Sequence, residues 1–96
     1  MLQEKVLFEK LRTLKPELAD KYHVAKIGYF GSYAKRTAND QSDVDIVVEF
    51  DQPIGWDFFR VQDLLEKSLS ISVGLVTPRA IRESMRSRIY QELKWV

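Results

Sequence analysis

Two apolar runs, held apart by a polar stretch carrying two short motifs, constrain this chain more than any other feature. Ile27-Gly28-Tyr29-Phe30 closes a run that reads as a buried strand over residues 24–30, and Ile46-Val47-Val48 lies in a second run over residues 44–50. Gly31-Ser32 follows the first run directly, a polar segment with Lys35 and Arg36 comes next, and Asp43-Val44-Asp45 leads into the second run. A glycine lets the backbone approach a phosphate closely, and the amides of a turn that opens a helix point donors at an anion. Asp43 and Asp45 stand two residues apart on an extended chain. Their carboxylates therefore share one side, roughly 6.6–6.8 Å apart along the backbone. Two carboxylates converging outside a strand end are what hard divalent cations bind.

The remaining segments supply the partners for these strands. Leu2, Val6, Leu7, Leu11 and Leu14 recur at three- and four-residue steps and predict an amino-terminal helix. Pro16 is expected to break it, leaving a short second piece over residues 18–22. His23, the one histidine, falls at a helix end and reads as a cap or surface residue with no catalytic role. After a loop punctuated by Pro53 and Gly55, residues 56–68 resume a helical period with Phe58, Phe59, Gln62, Leu65 and Leu69 on the expected core face. Trp56 and Phe59 are read as core residues rather than as platforms for stacking bases. A third strand is expected over residues 71–76. Thr77-Pro78 then offers a hydroxyl cap and a proline at the first position of a last helix. Ile81, Met85, Ile89 and Leu93 line one face of that helix. Arg79, Arg82 and Arg86 share another by helical spacing, and with Glu83, Arg88 and Glu92 interleaved they read as a solvated surface. The element order is α-β-α-β-α-β-α, an α/β (α+β) chain.

Composition narrows the class of function. Ninety-six residues suffice for one core but not two, and 45% apolar with 30% charged residues is an ordinary globular balance. A formal net charge of +1 supplies no field for binding nucleic acid with the whole surface, so any basic patch must be local and nucleic acid is not the favoured partner. The absence of cysteine excludes disulfides and thiolate metal sites and fits a cytoplasmic location. No apolar run approaches the roughly 20 residues that span a bilayer, and the first residues lack the layout of a secretory signal.

Gly31-Ser32, ten intervening residues, then Asp43-x-Asp45 leading into apolar strand residues resembles the nucleotidyltransferase superfamily of DNA polymerase beta. The likeness is closest to its smallest members, the minimal nucleotidyltransferase (MNT) domains of prokaryotes. It covers nearly the whole chain: residues 27–33 resemble the family's strand and glycine-serine turn. Residues 42–50 resemble its Ser-Asp-x-Asp strand, and Leu75-Val76-Thr77-Pro78-Arg79-Ala80-Ile81 resembles its last strand and helix. Either motif alone is weak; both at this spacing, each tied to a strand, are not. The resemblance implies one minimal nucleotidyltransferase domain over residues 1–96, with a small mixed sheet of about three strands backed by helices. It implies metal-dependent transfer of a nucleoside monophosphate from a nucleoside triphosphate, ATP foremost, to a macromolecular acceptor. Asp43 and Asp45 would be the catalytic carboxylates and the ligands of a two-ion Mg²⁺ site, while Gly31, Ser32 and Lys35 would hold the phosphates. MNT proteins are often paired with a small helical HEPN protein as antitoxin and toxin, so the resemblance also implies a HEPN-like partner, and homo-oligomers are left open.

The chain departs from the family at two points. A third carboxylate usually sits on the last strand in a segment like Val-Asp-Leu-Val-Thr, and here the segment is Val73-Gly74-Leu75-Val76-Thr77. Glycine offers no ligand, so the metal loses an oxygen donor and the attacking hydroxyl a nearby base. Glu49 shares the parity of Asp43 and Asp45 but lies four residues beyond Asp45, roughly 13 Å along the strand, and is a poor substitute. Arg36 also stands where the family often has glycine, which is expected to alter the turn of the loop. The alternative to an active transferase is thus a catalytically impaired, nucleotide-binding antitoxin that neutralises its partner by binding.

Overall fold

In the computed structural model, which describes residues 2–96, the apolar periodicity of the first segment becomes one helix, α1 (Glu4–Tyr22). Pro16 lies inside it, and the expected break is absent. Leu7, Leu11 and Leu18 are fully buried on one face, so packing on both sides of the proline holds the helix straight through. Pro16 and Arg12, the residue whose carbonyl loses its amide donor, are both exposed; water can satisfy that carbonyl at little cost. His23 caps the helix in the left-handed conformation (φ 59°), its amide donating to the Leu18 carbonyl.

The chain then runs through β1 (Val24–Phe30), a four-residue helix α2 (Ser32–Lys35), β2 (Val44–Phe50), α3 (Asp57–Leu69), β3 (Val73–Val76), a single 3₁₀ turn (Pro78–Ala80), α4 (Glu83–Glu92) and β4 (Lys94–Trp95). The sheet is mixed and has four strands in the order β3-β2-β1-β4, one more than the three read from the apolar runs. The fourth is only two residues long, below what any periodicity can reveal. It pairs antiparallel with Gly28 and Tyr29 of β1. Strand β1 also pairs antiparallel with β2, and β2 pairs parallel with β3.

Alternation along β2 separates the two faces. Val44, Ile46 and Val48 join Leu7, Leu11 and Leu18 of α1 and Val61, Leu65 and Leu69 of α3 in the main core. Val47 belongs to a smaller cluster with Ile81 and Ile89 on the opposite face. Asp45 has the parity of Val47, so the backbone assigns it to the face of α4.

Two helix readings need correction. Trp56 is 82% and Phe59 58% exposed, because the core face of α3 is set by Val61, Leu65 and Leu69; the Trp56 and Phe59 rings lie tilted against each other on the surface, with centroids 5.8 Å apart. The last helix is also not continuous from Pro78. Ile81 is extended (φ −75°, ψ 126°), and α4 starts only at Glu83. The Arg86 guanidinium donates to the carbonyls of Pro78 (3.4 Å) and Ile81 (3.3 Å), satisfying groups that a continuous helix would have paired internally. The Thr77 hydroxyl makes no cap bond. Arg79, Arg82 and Arg86 are exposed, but the break at Ile81 means that they do not form one helical stripe.

The two ends of the chain are joined by ionic contacts. Glu4 accepts hydrogen bonds from Lys94, from the Tyr29 hydroxyl (2.7 Å) and from Arg36 Nε (2.8 Å). Partial burial pushes its carboxyl upward, but the bonds from Lys94, Tyr29 and Arg36 outweigh that and hold it at about 2, against an ordinary 4.5. A depressed carboxylate contributes stability above its unfolded value and loses it as the pH falls through the folded one. The fold should therefore lose stability between about pH 4.5 and pH 2. At about 1.4 kcal/mol per pH unit the interval bounds the contribution at about 3.5 kcal/mol, and solvent screening of the exposed Arg36 lowers it to about 1–2 kcal/mol. Urea melts of the parent and Glu4→Gln at pH 7 and pH 3 check this: the difference at pH 7 should shrink at pH 3, and equal differences would refute it.

Candidate active site

The polar edge begins where β1 ends. Gly31 has φ 73° and ψ −146°, in a region that side chains avoid. A Cβ there would also collide with the Asp45 carboxylate. Conformation and space both demand glycine, and the reason for the second demand is that Asp45 lies directly against the turn. The Lys35 amide donates to the Gly31 carbonyl at 3.0 Å, and Thr37 to Ser32 at 2.9 Å, which curls Ser32–Lys35 into its single turn. Arg36 closes the turn in the left-handed conformation (φ 60°, ψ 34°). Where glycine would adopt this freely, arginine carries a cost of about 1 kcal/mol, and its side chain is tied to Glu4. The turn is built with arginine in place.

The loop back to the sheet is set by Asn39, whose side chain accepts the Gln41 amide at 2.8 Å, and by Ser42, whose hydroxyl accepts the Asn39 amide at 3.0 Å. It delivers Asp43, exposed and one residue ahead of β2, and then Asp45, partly buried within it. Burial raises the Asp45 carboxyl above its ordinary value, the charges of Asp43 and Glu92 raise it further, and Lys35 lowers it. The site thus gathers more negative charge around Asp45 than Lys35 offsets.

The vacancy read from the sequence has a definite place. In the parallel pairing of β2 with β3, Gly74 is the partner of Asp45, and a Cβ built on it would be 3.2 Å from Asp45 Oδ1. Any side chain at position 74 would stand beside that carboxylate. Glu49 is engaged with Lys26 (3.9 Å). Among the described residues no three acids or histidines are gathered closely enough to hold a metal ion.

One residue at the site escaped the sequence reading. Glu92, at the end of α4, accepts the Gly31 amide at 3.2 Å and pairs with Lys35 at 3.6 Å. Its side chain is only 16% exposed. Separated from Gly31 by 61 positions and set among surface charges, it carries no local signal.

Residues 11–96 match the family model described as a nucleotidyltransferase domain. A relative from Methanocaldococcus jannaschii, provisionally named a protein adenylyltransferase, is 45% identical over 74 residues, 76% of this chain and 86% of that protein. The protein adenylyltransferase MntA of Thermococcus cleftensis is 34% identical over 83 residues, covering 85% and 84% of the two chains. Among solved structures, one provisionally described as a minimal nucleotidyltransferase superposes with a TM-score of 0.82 at 23% identity, over 97% of this chain and 95% of that one. A toxin–antitoxin crystal structure with AMP-PNP gives 0.69 at 23% identity, over 98% and 72%. The complex of a tri-AMPylated Shewanella oneidensis HEPN toxin with its MNT antitoxin gives 0.68 at 19%, over 97% and 71%. The family model over residues 11–96 and relatives of 34–45% identity agree, and this chain belongs to the nucleotidyltransferase domain family.

Proposed function

We propose that the chain transfers an adenylyl group from ATP to a hydroxyl on a macromolecular acceptor, a HEPN-like protein for which it serves as antitoxin. The observation that carries this reading is the packing of the Asp45 carboxylate against the Gly31 turn, since a carboxylate beside a glycine turn is what a cation-bridged phosphate would need. The acceptor oxygen forms a bond to the α-phosphorus, the bond to the bridging oxygen breaks, and pyrophosphate departs. The family relationship and the names of the MntA and HEPN complexes support the substrate and the partner.

The donor set fits Mg²⁺. Asp43 and Asp45 are hard oxygen ligands, and Mg²⁺ is commonly bound by one or two carboxylates with substrate phosphates and water completing the shell. The unrelieved charge around Asp45 is what a cation would neutralise. When bound, Mg²⁺ offsets the charge that develops on the attacking and leaving oxygens. Asp43 and Asp45 fix where that offset acts, the Gly31 and Ser32 amides and the Ser32 hydroxyl orient the β- and γ-phosphates, and Lys35 adds a positive charge. Gly74 favours a second reading, in which nucleotide is bound but turnover is impaired and the partner is neutralised by contact.

The test incubates the chain with a HEPN-like protein, Mg²⁺ and ATP labelled on the α-phosphate. The expected result is label on the partner with release of pyrophosphate. Nucleotide binding with no transfer would select the second reading, and no binding would remove both.

A further inference from the structure

The donors suited to a triphosphate are already engaged by a side chain of this protein. Glu92 divides its carboxylate between two of them, one oxygen accepting the Gly31 amide at 3.2 Å and the other facing Lys35 Nζ at 3.6 Å. That is how a phosphate would divide its oxygens, and the Gly31 amide has one proton to give. The carboxylate is well covered, with 16% of the side chain exposed, while Lys35 remains 53% exposed and can swing to a ligand. Glu92 ends α4, and after Leu93 the residues Lys94 and Trp95 pair with Tyr29 and Gly28. The backbone is therefore anchored, and only the side chain need rotate to vacate the position.

We propose that Glu92 is a built-in competitor for the phosphates: it occupies the Gly31 and Lys35 donors in the ligand-free protein and must be displaced for a triphosphate to bind. This deepens, and rests on, the reading of the Gly31–Lys35 turn as a phosphate seat. The Glu92 carboxylate also adds negative charge next to Asp45, which the incoming nucleotide and its cation must meet. A protein whose binding-competent state is a minor fraction binds with its affinity reduced by that fraction. Removing the competitor removes that reduction.

Titration calorimetry of the full chain with Mg-ATP, and with Mg-tripolyphosphate as the bare phosphate probe, decides the matter. Glu92→Ala should tighten both ligands by about tenfold, within the usual range for coupled sites. Glu92→Gln removes the charge but keeps an acceptor for the Gly31 amide and the length of the side chain. It should tighten them by less, and it secures the test should alanine loosen the end of α4. If the parent binds and both variants bind equally or more weakly, Glu92 supports the turn rather than competing for it, and the inference falls while the nucleotide site stands. If neither the parent nor the variants bind either ligand, the phosphate seat is not at this turn and both readings fall.

Discussion

Replacing Asp43 and Asp45 together with asparagine should abolish the response of this fold to Mg-ATP and lower adenylyl transfer by at least about 10²-fold, the scale of losing groups that act on developing charge. For the parent, ligand at 100-fold over its dissociation constant should add about 2.7 kcal/mol, which for a chain of this size is a rise of roughly 10 °C or more in melting temperature. The double variant should show no rise. It should also melt higher than the parent when metal and nucleotide are withheld. Asp45 sits partly buried with Asp43 and Glu92 as like-charged neighbours, all of which disfavour its ionised form; at neutral pH that ionised form costs stability, and asparagine removes the cost. Loss of function accompanied by a gain in apo stability is the signature of carboxylates kept for binding a cation. A parent melting curve indifferent to millimolar Mg-ATP would remove the nucleotide site, and a variant that still responds would move it elsewhere.

The second large effect is expected in the opposite direction. Gly74→Asp should raise transfer above the natural level, by as much as about 10²- to 10³-fold if turnover is limited by the absent carboxylate. The register supplies the ground: position 74 pairs with Asp45, and its Cβ would stand 3.2 Å from Asp45 Oδ1. That approach is tight, so the Asp45 side chain must yield by a few tenths of an ångström. Three carboxylates without a cation repel one another, and the variant should be less stable than the parent until Mg²⁺ is added. Gly74→Asn separates the parts of the effect, since it introduces nearly the same volume without the charge and should give no gain. Transfer of labelled nucleotide, measured for the three proteins side by side, checks it. A fully active parent with a slower Gly74→Asp variant would show that position 74 is not a vacant ligand position.

How much of this was legible from the chain alone follows from the range of the interactions involved. The extents of β1 and β2 were readable because their apolar runs, over residues 27–30 and 46–48, lie next to Gly31 and to Asp43 and Asp45. Gly31, Ser32, Lys35, Asp43 and Asp45 could be named because two short motifs lie within 15 residues of each other. The errors arise where tertiary packing overrides local preference. Pro16 stays within α1 because leucines on both sides of it are buried, and Trp56 and Phe59 are exposed because α3 turns its aliphatic side inward. The short strand Lys94–Trp95 exists only as a complement to β1. Glu92 meets Gly31 across 61 positions, and no pattern local to residue 92 announces it.

The way β4 closes the sheet has a consequence for the order in which this protein comes together. Every residue assigned to nucleotide or metal lies at or before Asp45, and the strand bearing Gly74 ends at Val76. The pairing of β1 with β2 and of β2 with β3 spans short stretches of chain, so the seat can form from local contacts that close cheaply. The contacts of Glu92 and β4 span far more of the chain, and Lys94 meets Glu4 across 90 positions, a closure that costs less entropy once the sheet is paired. The same asymmetry holds in reverse. The segment from α4 onward is secured to the sheet by a two-residue ladder, the Val96 amide on the Ile27 carbonyl and a small apolar cluster around Ile89. With so few contacts it is expected to open at lower free energy than the β1-β2-β3 pairing, which amide hydrogen exchange would read as weaker protection of residues 83–96. The anionic stopper and the receptacle it fills are thus held by contacts of very different range along the chain.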